Sequence, residues 1–409
     1  MKIGIVSDMH LGYERFREDA YTQAKRALDL ASASCDLILI PGDVFDNRTP
    51  SPEVIAEGIN IFRELSKRAW QAKVTDYISE RETHTSVPVV AISGTHERTA
   101  IGRDNALRLL DLAGLLVDTS ESTTIISKGE ERVAIYGIGG VSEELFKSKI
   151  GELAPRPVEG AFNIFMFHQS VYELLPFNEA FVRTEELPKG FDLYIDGHLH
   201  TNTETEAHRK PFLIPGSTVI TQMKEGEQSS KGFIIFDTKE RKHTFVEINS
   251  RAFVSKEINV SGKSSTQIKE RCAETIAEIL RDQHNAIIRL RLKGELNHGI
   301  SNSEISIKGL IGRYSKEAFI EVDTSKITNA SVEEGIREVR ENKIHGESIK
   351  EQGLATLQQA LESLGFTLGI PSSELFEMLV STELKKERLT EQILEKLDAA
   401  DEKENKEKG

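Results

Sequence analysis

Cysteine is nearly absent from this sequence: Cys35 and Cys272 are the only two in 409 residues. Two are too few for a disulfide framework, so stability must come from a core, and a reducing compartment fits. Cys272 shares a helical face with Ile268 and Ile276, which assigns it to packing. No run of about 18 apolar residues occurs, so no transmembrane helix is expected. The opening MKIGIVSDMH has no basic segment followed by a long apolar one, so no secretory signal is expected and the expected location is the cytoplasm. An excess of positive charge is missing too. The net charge of -14 argues against a protein that coats nucleic acid by bulk electrostatics. A nuclease stays open, because local basic patches and metal ions can engage phosphates.

What the sequence does contain is apolar runs at short intervals. Strand candidates over residues 1 to about 250 include KIGIVSD (2–8), DLILIPGD (36–43), PVVAISG (88–94), RVAIYGI (132–138), FNIFMFH (162–168), FDLYIDGH (191–198), PFLIPGS (211–217) and GFIIFDT (232–238). Helical patterns such as SPEVIAEGINIFRELSKRAW lie between them. Apolar strands that end in polar residues and a turn predict an α/β fold with a layered sheet, buried on both faces. Residues 251–330 read as a second unit of order β-α-β-α-β, and residues 331–409 as a helical, charged region. There Leu375, Phe376, Leu379 and Val380 form one apolar stripe, with Pro371 at the helix start, and Leu389, Ile393, Leu394 and Leu397 form another. The closing DEKENKEKG has the composition of a disordered tail.

Five polar stretches recur at strand ends: SDMH (7–10), GDVFD (42–46), GTHE (94–97), FHQS (167–170) and GHLH (197–200). Singly, each has a bland explanation. A lone Gly-Asp is usually a turn, a lone buried His usually bonds a carbonyl, and a His-x-His pair shares a strand face as any alternation does. Together they put five of the eleven histidines (His10, His96, His168, His198 and His200) and the carboxylates Asp8 and Asp43 where strands meet turns. Such an arrangement can gather them on one rim of one sheet. Mixed nitrogen and oxygen donors with a bridging carboxylate suit Mn²⁺, Fe²⁺ or Zn²⁺ better than Mg²⁺ or Ca²⁺. Two such ions can activate water and clamp a phosphate.

The order D-x-H, G-D, G-[N/T]-H-E, H, G-H-x-H resembles the calcineurin-like metallophosphoesterase superfamily. Within it, SDMHLG, GDVFDNRTP, FHQS, GHLH and IPGSTV are similar to the Mre-eleven/SbcD family of DNA double-strand-break repair nucleases, archaeal type. The resemblance implies a metallophosphoesterase sheet sandwich at 1–250, a smaller βαβαβ DNA-binding cap at 251–330, and C-terminal helices at 331–409 that bind a coiled-coil ABC-type ATPase of the Rad-fifty/SbcC family. It implies two Mn²⁺ ions, other divalent transition metals being possible. Asp8, His10, Asp43 and His200 would hold the first, Asp43 bridging, and His168 and His198 the second. His96 would act on the leaving oxygen without binding metal. The resemblance further implies a cytoplasmic, nucleoid-associated homodimer, with Ile55, Ile59, Phe62 and NALRLLDLAGLL supplying the shared helical bundle.

Two positions depart from the family pattern. Thr95 stands where the family has an asparagine whose amide oxygen binds metal, and a shorter hydroxyl predicts a weakened second site. Asp46 stands where many members have histidine, though SbcD-like members carry Asp. Two other functions stay open at this point: another phosphoesterase, such as a cyclic-nucleotide phosphodiesterase, and a repair scaffold with a degraded metal site. In AIIRLRLKG, Arg289, Arg291 and Lys293 alternate with Ile288, Leu290 and Leu292. Period two gives either a solvated strand face or a surface that tracks phosphates.

Overall fold

The computed structural model describes residues 1–78, 87–99, 104–178, 180–296, 307–329, 349–363 and 371–380. The stripe from Leu389 to Leu397 and the charged tail lie outside the described residues. Two compact units are present, one of Met1–Lys256, Thr275–Leu290 and Ile311–Glu321, the other of Glu257–Glu274, Arg291–Leu310 and Val322–Gly409. Among the described residues, no helix is long and apolar enough to cross a membrane.

Two sheets dominate the first unit. One has six strands in the order Lys242–Glu247, Gly232–Asp237, Lys2–Ile5, Leu37–Ile40, Val89–Ala91, Val117–Asp118. The other has seven, in the order Thr203–Ala207, Lys210–Ile214, Leu193–Asp196, Phe162–Phe167, Glu131–Ile138, Ser122–Lys128, Lys73–Ile78. The central strands of each are parallel: Lys2–Ile5 with Leu37–Ile40 with Val89–Ala91, and Glu131–Ile138 with Phe162–Phe167 with Leu193–Asp196.

The apolar runs follow from burial on both faces. Alternate residues serve different layers: Leu37 and Leu39 pack between the sheets with Ile3, Ile5, Ile164 and Met166, whereas Ile38 and Ile40 turn toward the helices. Helix Arg17–Ser34 meets that outer face with Ala24, Ala27, Leu28 and Ala31. Helix Pro52–Ser66 begins as its sequence dictates, with Pro52 in the first turn and the Ser51 hydroxyl accepting the Val54 N–H at 3.5 Å. It adds Val54, Ile61, Phe62 and Leu65. On the far side of the second sheet, Phe165, Phe167, Tyr194 and Phe212 pack with Phe146 of helix Glu143–Leu153. The α/β layered sandwich expected from the sequence is the fold observed.

A third sheet takes Phe253–Asn259, Ile287–Leu296 and Phe319–Asn329 in that order. Ile288, Leu290 and Leu292 are buried as the alternation requires, and so are Ile268, Cys272 and Ile276 on helix Ser265–Asp282. The cations opposite them are engaged within the protein. Arg289 donates to the Met223 carbonyl at 3.1 Å and pairs with Glu321 at 3.4 Å, and Lys293 pairs with Glu257. Farther on, helices Ile349–Ser363 and Ser372–Val380 pack together, with the Phe376 ring over Gly353 and Leu375 buried. The first C-terminal stripe is therefore partly covered by its neighbour.

Candidate metal centre

All five polar stretches sit at C-terminal ends of parallel strands, where an α/β sheet leaves a crevice for ligands. Asp8 and His10 follow Lys2–Ile5, Asp43 follows Leu37–Ile40, and Thr95 and His96 follow Val89–Ala91. His168 follows Phe162–Phe167, while His198 and His200 follow Leu193–Asp196. Four of these eight residues hold left-handed backbone: Asp8 (φ 49°), His10 (46°), Asp43 (49°) and His198 (69°). Such conformations cost about 1–3 kcal/mol each and persist where surrounding structure imposes them. Two glycines let the turns close up. A Cβ on Gly94 would lie 2.1 Å from Asp43 Oδ1, and one on Gly197 would lie 2.1 Å from the Pro41 carbonyl.

The donor atoms converge. Asp8 Oδ1 is 4.0 Å from His10 Nε2 and 3.7 Å from His200 Nε2, and those two nitrogens are 3.2 Å apart. Asp43 Oδ2 is 3.2 Å from His168 Nε2, and Asp8 completes that group of three. Behind each imidazole, Nδ1 is occupied: His10 by Asp46 Oδ1 (3.1 Å), His168 by the Pro41 carbonyl (2.7 Å), His200 by Thr221 Oγ1 (2.6 Å). Each carboxylate is also aimed by a backbone N–H, His198 to Asp8 Oδ1 at 3.2 Å and His96 to Asp43 Oδ1 at 2.9 Å. The Thr95 hydroxyl reaches Asp43 Oδ2 at 3.4 Å.

His198 and His96 are placed differently. His198 contributes its main-chain N–H, and its ring packs edge-on against His168 with centroids 5.3 Å apart. It belongs to none of the tight donor groups found among the described residues. His96 is 46% exposed and its Nδ1 meets the Asp46 carbonyl at 2.6 Å. With His10 and Asp46 it forms a third group. Beside it a cleft is lined by Arg48, Thr95, Arg98, Ser142 and Glu143.

The electrostatics favour a cation. Burial pushes the Asp43 carboxyl up, but the imidazoles of His168, His10 and His96 override this and hold it far below the carboxylate range. Burial pushes His168 down, and Asp43 and Asp8 override it, lifting the imidazole to about 10. Burial and the neighbouring His168 push His198 down to about 4. Positive charge is thus drawn to the buried pair Asp8 and Asp43. His168 Nε2 is fully buried and makes no well-directed hydrogen bond despite its contact with Asp43. Pinned Nδ1 atoms, convergent Nε2 atoms and buried carboxylates form groups that could hold a divalent metal ion.

Several supporting residues escaped the sequence reading. Glu97 is buried, accepting the Phe45 N–H at 3.0 Å and the Gly94 N–H at 2.9 Å, so it buckles the second stretch to the third. Burial and the Asp43 charge push its carboxyl up to about 8. The only signal was a charged residue directly after Gly-x-His at the end of an apolar strand. Asp196, also buried, accepts the Gln169 N–H at 3.0 Å, and burial holds its carboxyl well above the usual range. Glu227 and Lys231 pair beneath His200, and their sequence gives no sign of burial.

Comparison with known proteins agrees with this geometry. Residues 1–202, which hold all eight predicted site residues, match the family described as calcineurin-like phosphoesterase. The chain is 28% identical over 254 residues to the double-strand break repair protein MRE11 of Encephalitozoon cuniculi, covering 56% of this chain and 44% of that one. It is 30% identical over 231 residues to the DNA double-strand break repair protein Mre11 of Sulfurisphaera tokodaii (53% and 51%). With human MRE11 it shares 26% over 336 residues (69% and 47%). The chain spans about half the length of these curated relatives. Residues 1–202 are thus a calcineurin-like phosphoesterase domain.

Proposed function

We propose that this protein is a Mn²⁺-dependent DNA exonuclease and endonuclease of double-strand break repair, which hydrolyses phosphodiester bonds at a di-metal site. The observation that carries this is the convergence of the His10, His200 and His168 Nε2 atoms on Asp8 and Asp43, in a chain similar to double-strand break repair proteins. Asp8, His10, Asp43 and His200 hold the first ion, and His168 and His198 the second, Thr95 being a weak or water-bridged ligand. Bound there, the ions supply an activated water and neutralise charge on the phosphate. His96 acts on the leaving oxygen. Its Nδ1 proton is committed to the Asp46 carbonyl, so a proton for that oxygen comes from Nε2. Arg48 and Arg98 line the same cleft and suit a phosphate backbone.

The assembly is a nucleoid-associated homodimer, for which the exposed Leu109 and Leu112 and the half-buried Ile55 and Ile59 supply apolar helical surface. Its ATPase partner docks on the C-terminal helices, and deleting 371–409 should abolish co-purification of the pair. Metal analysis combined with a nuclease assay on short DNA across a Mn²⁺ series tests the proposal. Cleavage that appears with Mn²⁺ and vanishes with chelator supports it. A metal-loaded protein that leaves DNA intact but opens cyclic nucleotides, or one that binds no metal, rejects it.

A further inference from the structure

Beneath His200 lies a buried ionic cluster to which neither the fold nor the donor set assigns a role. Glu227 and Lys231 are 4% and 2% exposed, with Lys231 Nζ 3.3 Å from Glu227 Oε1. Each is fully committed. Glu227 accepts the backbone N–H groups of Thr221 (3.1 Å), Gln222 (2.7 Å) and Met223 (2.8 Å). Lys231 donates to Glu227, to Ser217 Oγ at 2.8 Å and to the His200 carbonyl at 3.0 Å. Thr221 closes the circuit, with its Oγ1 2.6 Å from His200 Nδ1 and 3.5 Å from Glu227 Oε1. The cluster therefore grips one residue at two points, its ring and its main chain.

We infer that Thr221, Glu227 and Lys231 are a positioning set that fixes the tautomer and ring orientation of His200 for metal binding. This rests on the metal-centre reading above. The chemistry is directional. For Nε2 to offer a lone pair to a cation, Nδ1 must carry the proton. That proton is donated to Thr221 Oγ1, which leaves the threonine hydroxyl proton for the Glu227 carboxylate. Glu227 can only accept, so a threonine hydroxyl turned toward it leaves Oγ1 to accept from His200 and favours the Nδ1–H tautomer. Lys231 holds the carboxylate ionised and in place, its three protons matched to three acceptors. A buried pair with every donor and acceptor satisfied sets geometry more than it adds stability.

The test is Mn²⁺ binding followed by calorimetry and by electron paramagnetic resonance of free Mn²⁺, on the full chain. Thr221→Val keeps the shape and removes the relay. It should weaken the tighter-bound ion by about 10- to 100-fold, the usual effect of losing a partner behind a metal-binding histidine. Thr221→Ser should restore affinity to within about threefold, which a purely packing role would not predict. Thr221→Ala probes the same bond with no γ-methyl groups to accommodate. Melting of the metal-free variants should match the parent. Wild-type affinity in both Thr221→Val and Thr221→Ala overturns the inference, provided His200→Ala loses the ion. If the parent and His200→Ala bind Mn²⁺ equally, the metal-centre reading itself falls, and this inference with it.

Discussion

His10 and His200 aim their Nε2 atoms at one another across 3.2 Å, with their rings inclined at 71°. Asp46 takes the His10 Nδ1 proton, and with the Nδ1–H tautomer of His200 bonded to Thr221, two neutral rings would face each other with lone pairs. A cation beside Asp8 removes that conflict. Metal binding should therefore stabilise the folded protein, by about 2.7 kcal/mol once Mn²⁺ stands at about 100 times its dissociation constant. Thermal melts with Mn²⁺ and with chelator check this. His10→Ala should lose most of the difference, and identical melting curves for the parent in the two conditions would contradict the expectation.

Glu97 predicts a stability effect separable from catalysis. Its two oxygens accept the Phe45 and Gly94 N–H groups, and Glu97→Gln presents an NH₂ to one of them, which cannot accept. One buried donor is left unsatisfied, at a cost of about 1–3 kcal/mol. Chemical denaturation of the metal-free protein measures it. A change below about 0.5 kcal/mol, the size expected of a surface substitution, would mean the buckle contributes nothing.

How legible all this was in the sequence depends on which force set each element. The eight apolar runs became strands because double-sided burial writes itself as near-continuous apolar sequence, as in Leu37–Ile40 and Phe162–Phe167. Strands with an exposed face or at a sheet edge, such as Thr203–Ala207 (TETEA) and Lys242–Glu247, carry too few apolar residues to stand out. The donor residues were legible because five Gly, Asp and His clusters recur at strand ends. Their supports were not. Glu97 closes the GTHE stretch with nothing to mark it as a support, Thr221, Glu227 and Lys231 look like ordinary polar residues, and only the tertiary path of the chain buries Glu97, Glu227 and Lys231. The cations of AIIRLRLKG sat on the expected face, but pairing with Glu321 and Glu257 joins residues far apart in the chain.

His96 should separate metal binding from turnover. Its main-chain N–H aims Asp43, and a side-chain replacement leaves that bond in place. His96→Ala should keep metal content and DNA binding while cleavage falls by about 10²- to 10⁴-fold, the range for removal of a general acid. Metal analysis, a DNA-binding titration and single-turnover cleavage together decide it. Loss of a bound ion in this variant would make His96 a ligand, as its grouping with His10 and Asp46 permits.

Thr95 is the position where the type of donor departs from the family pattern. Its hydroxyl reaches Asp43 Oδ2 at 3.4 Å, so it is turned toward the centre, on a side chain one atom shorter than the asparagine of the family pattern. A hydroxyl that falls short of a cation is replaced by water, which costs less than losing an imidazole or a carboxylate. Thr95→Asn should accordingly lower the Mn²⁺ concentration that gives half-maximal cleavage, whereas His168→Ala, which removes a buried donor next to Asp43, should abolish cleavage. The measurement is initial nuclease rate against Mn²⁺ for the parent and both variants. An unchanged midpoint in Thr95→Asn would show that the hydroxyl already suffices or never meets the ion, and the weakened-ligand reading would be wrong. A parent inactive at every Mn²⁺ level, with activity restored by Thr95→Asn, would instead make this chain a scaffold built on a disabled centre.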